Sequence, residues 1–557
     1  MRLSMSIETQ LNPAQKTFDR IQESYLATWC RFHPEVAFDA GVETFSDKLK
    51  PHDDEIIGAQ IVLNEKCLSA LEELSETELD SDRLCDYHVL RGAVSLEHHS
   101  LMDHDWRHRD PTQFVPLHAI YQLTLRPIED FAFCLQQRLA AIPQQLRSAR
   151  SYLEAAPMVI PSVWLEMALS ESTTGVDYLH HLHQHPRVAI AINENDQIEQ
   201  AIADAAYALE IFSHTLDRDI SKHCQGDFAC GREHFERLLQ QQHFLPINAD
   251  QLHRFGQQLF SETQQALEKE LSTSKITLED IYQNTPQKEN LLDSYRQEIQ
   301  AAQKFLSKHD LIALPETETL TVTETPVFLR HQIPFAAYME PASNDPEQHA
   351  YYYITPPVDD ESLKEHNFAA ISQTSVHEAW PGHHLQFVTA NQSENGGSLL
   401  RRLNPSATLY EGWALYCEQL MLEQGFKQHP GQKIILLRDR LWRALRITLD
   451  VEIHTRGLSL DDAADKMVSA IGFSKQQALA ELSWYTQAPT VPMSYAVGWA
   501  LITTLRDQLG FKDRETLKHF HHHLLESGSI ALPLVIQHQF GKEAWDKCYQ
   551  HVFGVTA

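Results

Sequence analysis

The segment His377-Glu378-Ala379-Trp380-Pro381-Gly382-His383-His384 places three imidazoles and a carboxylate close together in the chain. Such a set can hold a divalent cation and move a proton. A helix that offers two histidines to one zinc ion normally spaces them four apart, because residues i and i+4 share a face. A glutamate after the first histidine then stands beside the metal as a base. Here position i+4 from His377 is Pro381, which offers no ligand, and His383 and His384 stand at i+6 and i+7. In a straight helix those positions lie roughly 9 and 10.5 Å along the axis. Zinc–nitrogen bonds of ~2.0–2.1 Å hold ligand nitrogens within a few ångströms of one another, so a straight helix fails. Pro381-Gly382 supplies the distortion: proline removes a backbone donor, and glycine admits dihedrals that other residues avoid. If the two extra residues bulge outward, His383 takes the place of the second histidine; His384 is the alternative.

A third ligand is expected from Glu411, in Tyr410-Glu-Gly-Trp-Ala-Leu-Tyr-Cys-Glu418 on the next helix. Three protein ligands and an open fourth position describe a catalytic zinc site, with one ion per chain. Glu378 is then the general base, and Glu418, two turns beyond Glu411, is placed to orient a ligand histidine. An oxyanion needs a donor besides the metal; Tyr495 is the first candidate and His454 the second. Asp450 and His454, at i and i+4, form an orienting pair or a surface pair. Arg438, Arg440, Arg443, Arg446 and Arg506 are candidates for binding a substrate carboxylate, which arginine does bidentately, and Arg506 is named because it follows the Tyr495 run. Tyr338 and Tyr352 are placed in the cleft by their position before the motif. The other histidine clusters, His98-His99, His180 to His185 and His521-His522-His523, are expected on the surface or in packing, without metal.

Helical periodicity dominates the elements that must carry these residues. Ala132–Leu153, Asp196–Leu216, Asp250–Leu271 and Lys288–Leu306 repeat apolar residues three and four apart, with breaks expected at Pro127, Pro143, Pro157, Pro161, Pro186, Pro246 and Pro286. From Ile312 to Pro357 the runs Leu320-Thr-Val-Thr-Glu, Pro326-Val-Phe-Leu-Arg and Tyr351-Tyr-Tyr-Ile-Thr predict a small sheet of two to four strands. The architecture is therefore mainly α: an N-terminal helical half (1–311), a small β insert (312–360) just before the metal motif, and a C-terminal helical half (361–557) carrying the chemistry. The three form one integrated unit.

Of 557 residues, 43% are hydrophobic and 22% charged, which suits a globular chain with a sizeable core. The 46 basic and 76 acidic residues leave a net charge of −30, which argues against nucleic acid or an anionic membrane as the main partner. The N-terminus, MRLSMSIETQLNPAQ, shows no apolar leader. The cysteines are scattered with no CxxC, Cys224 and Cys230 being the one close pair, and free thiols in the cytoplasm are expected. No P-loop, GxGxxG or GxSxG is present.

At the motif the sequence resembles the bacterial family known as domain of unknown function 885. The family's HEAxPGHHxQ stretch is matched by His377 through Gln386, and its second signature by Tyr410-Glu-Gly-Trp-Ala414. Tyr485 to Gly498 is similar to its Y-x-x-x-PGQA-x-SY-x-x-G run, Phe520-His521 with Leu524-Leu525 and Gly528 to its closing segment, and Tyr338, Pro341 and Tyr351 to Tyr353 to its strand pair. The resemblance implies a large helical, bowl-like metallopeptidase architecture. It further implies His377, His383 or His384, and Glu411 as ligands, Glu378 as base, and short peptides as substrates. A metal-dependent amidase and a non-catalytic metal-binding protein are the alternatives. One departure is notable: Pro489-Thr490-Val491-Pro492 stands where the family has PGQA, so a different loop shape is expected before Tyr495.

Overall fold

The computed structural model describes residues 11–330, 333, 335–394 and 396–554. Residues 1–10, part of the N-terminal segment on which the expectation about a leader rests, lie outside them. The described residues form 25 α-helices and a three-stranded sheet, so the chain is mainly helical, as its periodicity requires. The four periodic segments fold as Phe131–Ala155, Gln197–Thr215, Ala249–Thr273 and Leu291–His309. The third opens on a capping box in which Asn248 and Gln251 satisfy each other's backbone donors. Pro143 is a correction: it lies inside the helix Phe131–Ala155 and does not end it. Leu139, Ile142 and Leu146, around that proline, are fully buried, and their packing overrides a local penalty of ~3 kcal/mol. None of the described helices is long and apolar enough to cross a membrane.

The β insert holds β1 (Thr319–Glu324), β2 (Ala336–Met339) and β3 (His349–Ile354) in the order β1-β3-β2, with β1 parallel and β2 antiparallel to β3. The run from Pro326 is not a strand: Val327–Leu329 is a 3₁₀ turn that drops Phe328 and Leu329 into a core. Alternation along β3 divides two cores. Tyr352 and Ile354 face a cluster reaching from Phe18 to Tyr549, and Tyr353 faces a second cluster built from Phe38 to Phe328 and Leu329. The first core draws on residues from both the 1–311 and 361–557 segments.

Two close approaches fix the helices that matter for chemistry. The helix Phe368–Glu378, capped by Asn367 through Ala370 N–H (2.9 Å), stops at Glu378. A turn follows, with a cis Trp380-Pro381 peptide, and a new helix, His383–Gln392, begins. The two extra residues therefore break the helix rather than bulge from it. Gly382 packs so tightly under the first helix that a Cβ would lie 1.7 Å from the His377 carbonyl oxygen. Trp413 Nε1–H and the Cys417 thiol donate to the Pro381 carbonyl (2.8 and 3.5 Å), tying the turn to the helix Ala407–Glu423. That helix in turn crosses Val491–Leu509 at Gly412 and Gly498, where a Cβ on either would strike the other's backbone at 2.5–2.7 Å. Glu411 and Tyr495 are thereby brought side by side.

Two outcomes follow from this packing. Gly382→Ala should destabilise the fold by about 3 kcal/mol or more, because the collision is with backbone and nothing flexible can yield. An unchanged chemical-denaturation midpoint would refute this account of the turn. The second outcome is acid sensitivity. His243, His366, His454 and His521 are fully or almost fully buried. Burial pushes His243 down to about 3 and the other three down to about 4. The unfolded chain takes up these protons near the ordinary value and the folded chain does not. The stabilisation is thus complete above about pH 6.5 and is lost as pH falls toward 4, at up to about 1.4 kcal/mol per pH unit for each histidine. Denaturation midpoints at pH 7 and pH 5 should differ, and His243→Gln should flatten the slope.

Candidate metal centre

His377 and His383 approach edge to face, with ring centroids 4.8 Å apart and planes at 89°. Glu411 Oε2 lies 3.4 Å from Nε2 of each. That oxygen is buried and accepts no hydrogen bond, and His383 Nδ1 is likewise buried without a partner. A separation of 3.4 Å is long for a hydrogen bond but is what two ligands on one tetrahedral ion at ~2.1 Å require, about 3.4 Å. The donor set therefore fits a zinc-sized cation.

The surrounding groups orient these side chains. His377 Nδ1–H donates to Glu418 Oε1 (2.8 Å), and Gln373 Nε2–H holds the other Glu418 oxygen (3.2 Å). The His377 Nε2 lone pair is thereby aimed at the cluster, the role expected of Glu418. Burial lowers the affinity of His377 for a proton, but Glu411 and Glu418 outweigh it and push it up to about 10. Burial raises Glu411 too, yet His383 and His377 reverse this and hold it well below the usual carboxylate range. Positive charge is strongly favoured at this point. Glu378 accepts the Tyr338 backbone N–H from β2 (3.1 Å), and burial lifts it above its ordinary value despite His377 and His383.

The structure separates the other candidates. His384, one residue on, turns away: its Nδ1 meets the Tyr338 hydroxyl (3.1 Å) and its Nε2 meets Glu318 (2.8 Å), so neither nitrogen reaches the cluster. Tyr338 also stacks on His383, at 6.2 Å and 24°. Tyr352 is fully buried beneath the sheet, edge-on to Tyr295, and lines no part of the cavity beside the cluster. His454 is buried with Nε2 on the Tyr485 carbonyl (2.9 Å) and Nδ1 on Cys230 N–H (3.4 Å), and Asp450 receives the Thr490 N–H (3.1 Å). These two are neither a surface pair nor cavity groups; Asp450 instead anchors the turn that starts the Tyr495 helix. Arg506 lies three turns beyond Tyr495 and pairs with Glu423 (2.7 Å) and Asp507 (2.9 Å), away from the cavity.

A cavity of about 290 Å³ opens beside His377, Glu378 and Tyr495, with Arg438, Arg443 and Arg446 on its wall. Burial and then the Glu411 carboxylate raise the Tyr495 phenol well above its usual value, so it remains an O–H donor. Arg446 lies over the rings of Tyr495 (4.4 Å) and Trp442 (4.2 Å). Its Nη2 pairs with Glu481 (2.6 Å), while Nε and Nη1 are buried without partners. Residue spacing had marked Arg446 as one of several arginines but could not single it out, and nothing in the sequence pointed to Glu318 or Gln373.

A candidate lipoprotein of unknown function from Shewanella oneidensis has a similar structure, with TM-score 0.71 and 20% identity over 93% of this chain and 99% of that one. A candidate lipoprotein from Colwellia psychrerythraea superposes at TM-score 0.76 and 18% identity, over 94% and 98%. An M32 carboxypeptidase from Deinococcus radiodurans R1 aligns over 97% of this chain and 98% of that one, but at TM-score 0.41 and 12% identity, too low to carry an argument. No curated protein matches the chain in sequence. The model of the bacterial proteins of unknown function called DUF885 matches residues 34–538, and the chain belongs to that family.

Proposed function

We propose that the protein is a zinc-dependent hydrolase that cleaves short peptides, with His377, His383 and Glu411 as the ligands. One observation carries this reading: a buried carboxylate oxygen equidistant from two imidazole nitrogens and bonded to neither. Zinc, when bound, supplies a Lewis acid that polarises an acyl carbonyl and acidifies water. Glu378 takes the proton from the attacking water and delivers it to the leaving amine; its raised proton affinity suits both steps. Tyr495 O–H donates to the oxyanion that develops on the carbonyl oxygen as water adds to the carbonyl carbon. Glu418 keeps His377 in one tautomer and one orientation.

A peptide is favoured by two features of the cavity. β2 is an edge strand, and its first residue Ala336, with Phe335 before it, forms part of the wall, where an extended chain can lie alongside. Arg446, on the cavity wall, keeps two donors without partners, Nε and Nη1 on different edges of its guanidinium, so it can give a single charge-assisted hydrogen bond to a terminal carboxylate, and cleavage near a C-terminus is the preferred mode. A non-peptide acyl amine could use the same hydrolytic groups but would leave the Arg446 donors unpaired. The unpaired state of all eight cysteines supports a reducing, cytoplasmic setting. The lipoprotein descriptions of the two similar structures point instead to the envelope, which cell fractionation would decide.

Glu378→Gln should retain zinc and lose hydrolysis by at least about 10³-fold, whereas His377→Ala and Glu411→Ala should lose zinc as well. Activity that survives in Glu378→Gln would remove Glu378 as the base, and a zinc-loaded wild type without hydrolysis would leave a non-catalytic metal-binding protein. Arg446→Lys should raise KM about 10- to 100-fold for peptides with a free C-terminal carboxylate and leave their amidated counterparts unchanged. Equal effects on both would remove the terminal-carboxylate assignment.

A further inference from the structure

Most histidines outside the centre just described are tied up in local packing. His181 and His183 bond to backbone carbonyls of their own segment, and His521 is fixed between Tyr416 and the Leu311 carbonyl. His99 is different. It lies near the end of the helix Ser81–Asp103, His104 follows directly at the C-cap, and His234 comes from the first turn of Gly231–Gln241. The fold brings a nitrogen of each ring to within 4.8 Å of the other two. Ring centroids are 5.4 Å apart for His99 and His234, 5.3 Å for His104 and His234, and 5.8 Å for His99 and His104.

Apolar packing does not account for this arrangement. His234 Nδ1 is buried without a hydrogen-bond partner. His99 Nδ1 is held by Asp103 Oδ2 at 2.6 Å, which leaves the Nε2 lone pair for the cluster. A carboxylate on the far nitrogen is the usual way to fix the tautomer of a ligand imidazole. Tetrahedral ligand nitrogens stand about 3.4 Å apart. His104 lies at the C-cap, one residue beyond the last helical residue.

We propose that His99, His104 and His234 form a second metal site, which takes a divalent ion suited to imidazole, zinc foremost, with Asp103 orienting His99. Nickel and copper(II) are the competing ions, because an all-imidazole set suits each of them. The ion ties the end of one helix to the start of another far along the chain. The site shares no residue with the His377 centre and does not depend on the reaction assigned there.

The test uses the full chain stripped by chelation and titrated with zinc against a chromophoric competitor. Four proteins are compared: wild type, His377→Ala/His383→Ala, His234→Ala, and the three changes combined. The first double variant should still bind about one zinc per chain, His234→Ala should remove that zinc or weaken it about 100-fold, and the combined variant should bind none tightly. A folded His377→Ala/His383→Ala chain that binds no zinc overturns the second site. So does one whose zinc is indifferent to His234→Ala. If wild type instead binds a single zinc that only His234→Ala removes, the second site stands and the catalytic reading falls. Should His234→Ala fail to fold, copper(II) bound to the His377→Ala/His383→Ala chain gives the second readout. Its electron paramagnetic resonance spectrum should show nitrogen coupling that His104→Ala diminishes; a spectrum without nitrogen coupling overturns the proposal.

Discussion

Three carboxylates, Glu378, Glu411 and Glu418, are gathered around two imidazoles in the interior, and the C-terminal half is arranged around that concentration of charge. Removing a carboxylate from water is costly unless it is paired or hydrogen-bonded, and an unpaired one would normally take up a proton. Glu418 is satisfied by His377 and Gln373, and Glu378 by a backbone donor from β2. Glu411 Oε2, in contrast, accepts no hydrogen bond. Its two histidine neighbours stand at a distance that suits a shared cation better than a shared proton. Each element around the cluster is fixed at a point of steric contact: Gly382 under the His377 carbonyl, Gly412 against Gly498, and Trp413 on the Pro381 carbonyl. Such contacts hold ligands to a fraction of an ångström, which a loop could not.

Much of this was legible in the sequence, because the features that announce it are local. Amphipathic spacing gives the helices, and the β-prone runs give two of the three strands. The i+6 spacing with Pro381-Gly382 says that a helix must be interrupted between the ligands. What spacing could not supply is direction. His383 and His384 differ by about 100° around the new helix, and which one faces His377 depends on how the turn is clamped by Trp413 and Cys417, a tertiary fact. The arginines pose the same problem. Arg446 and Arg506 are both on helices of the C-terminal half, yet only the former faces the cavity, because Arg506 is carried three turns past Tyr495. His99, His104 and His234 were invisible as a group, since their meeting depends on two helices far apart in the chain.

The turn before Tyr495 shows how a departure in sequence can be absorbed. Thr490 adopts φ +69°, the left-handed conformation that favours glycine, at the place where the resembling motif has its glycine. The chain thus keeps a glycine-type backbone there with a β-branched residue, at a local cost of ~1–2 kcal/mol. Compensation is visible on each side. The Thr490 N–H donates to the buried Asp450 carboxyl, its hydroxyl meets His243 Nε2 (3.0 Å), and its carbonyl accepts from Ser494 (2.9 Å). His243 in turn reaches Ser406, next to the first residue of the Glu411 helix (3.1 Å). The starts of the two helices that present Glu411 and Tyr495 are therefore joined through one buried histidine. A hydroxyl at position 490 is part of that connection and glycine could not supply it, so the substitution replaces conformational ease with a hydrogen-bonded link between the two helices on which the proposed chemistry depends.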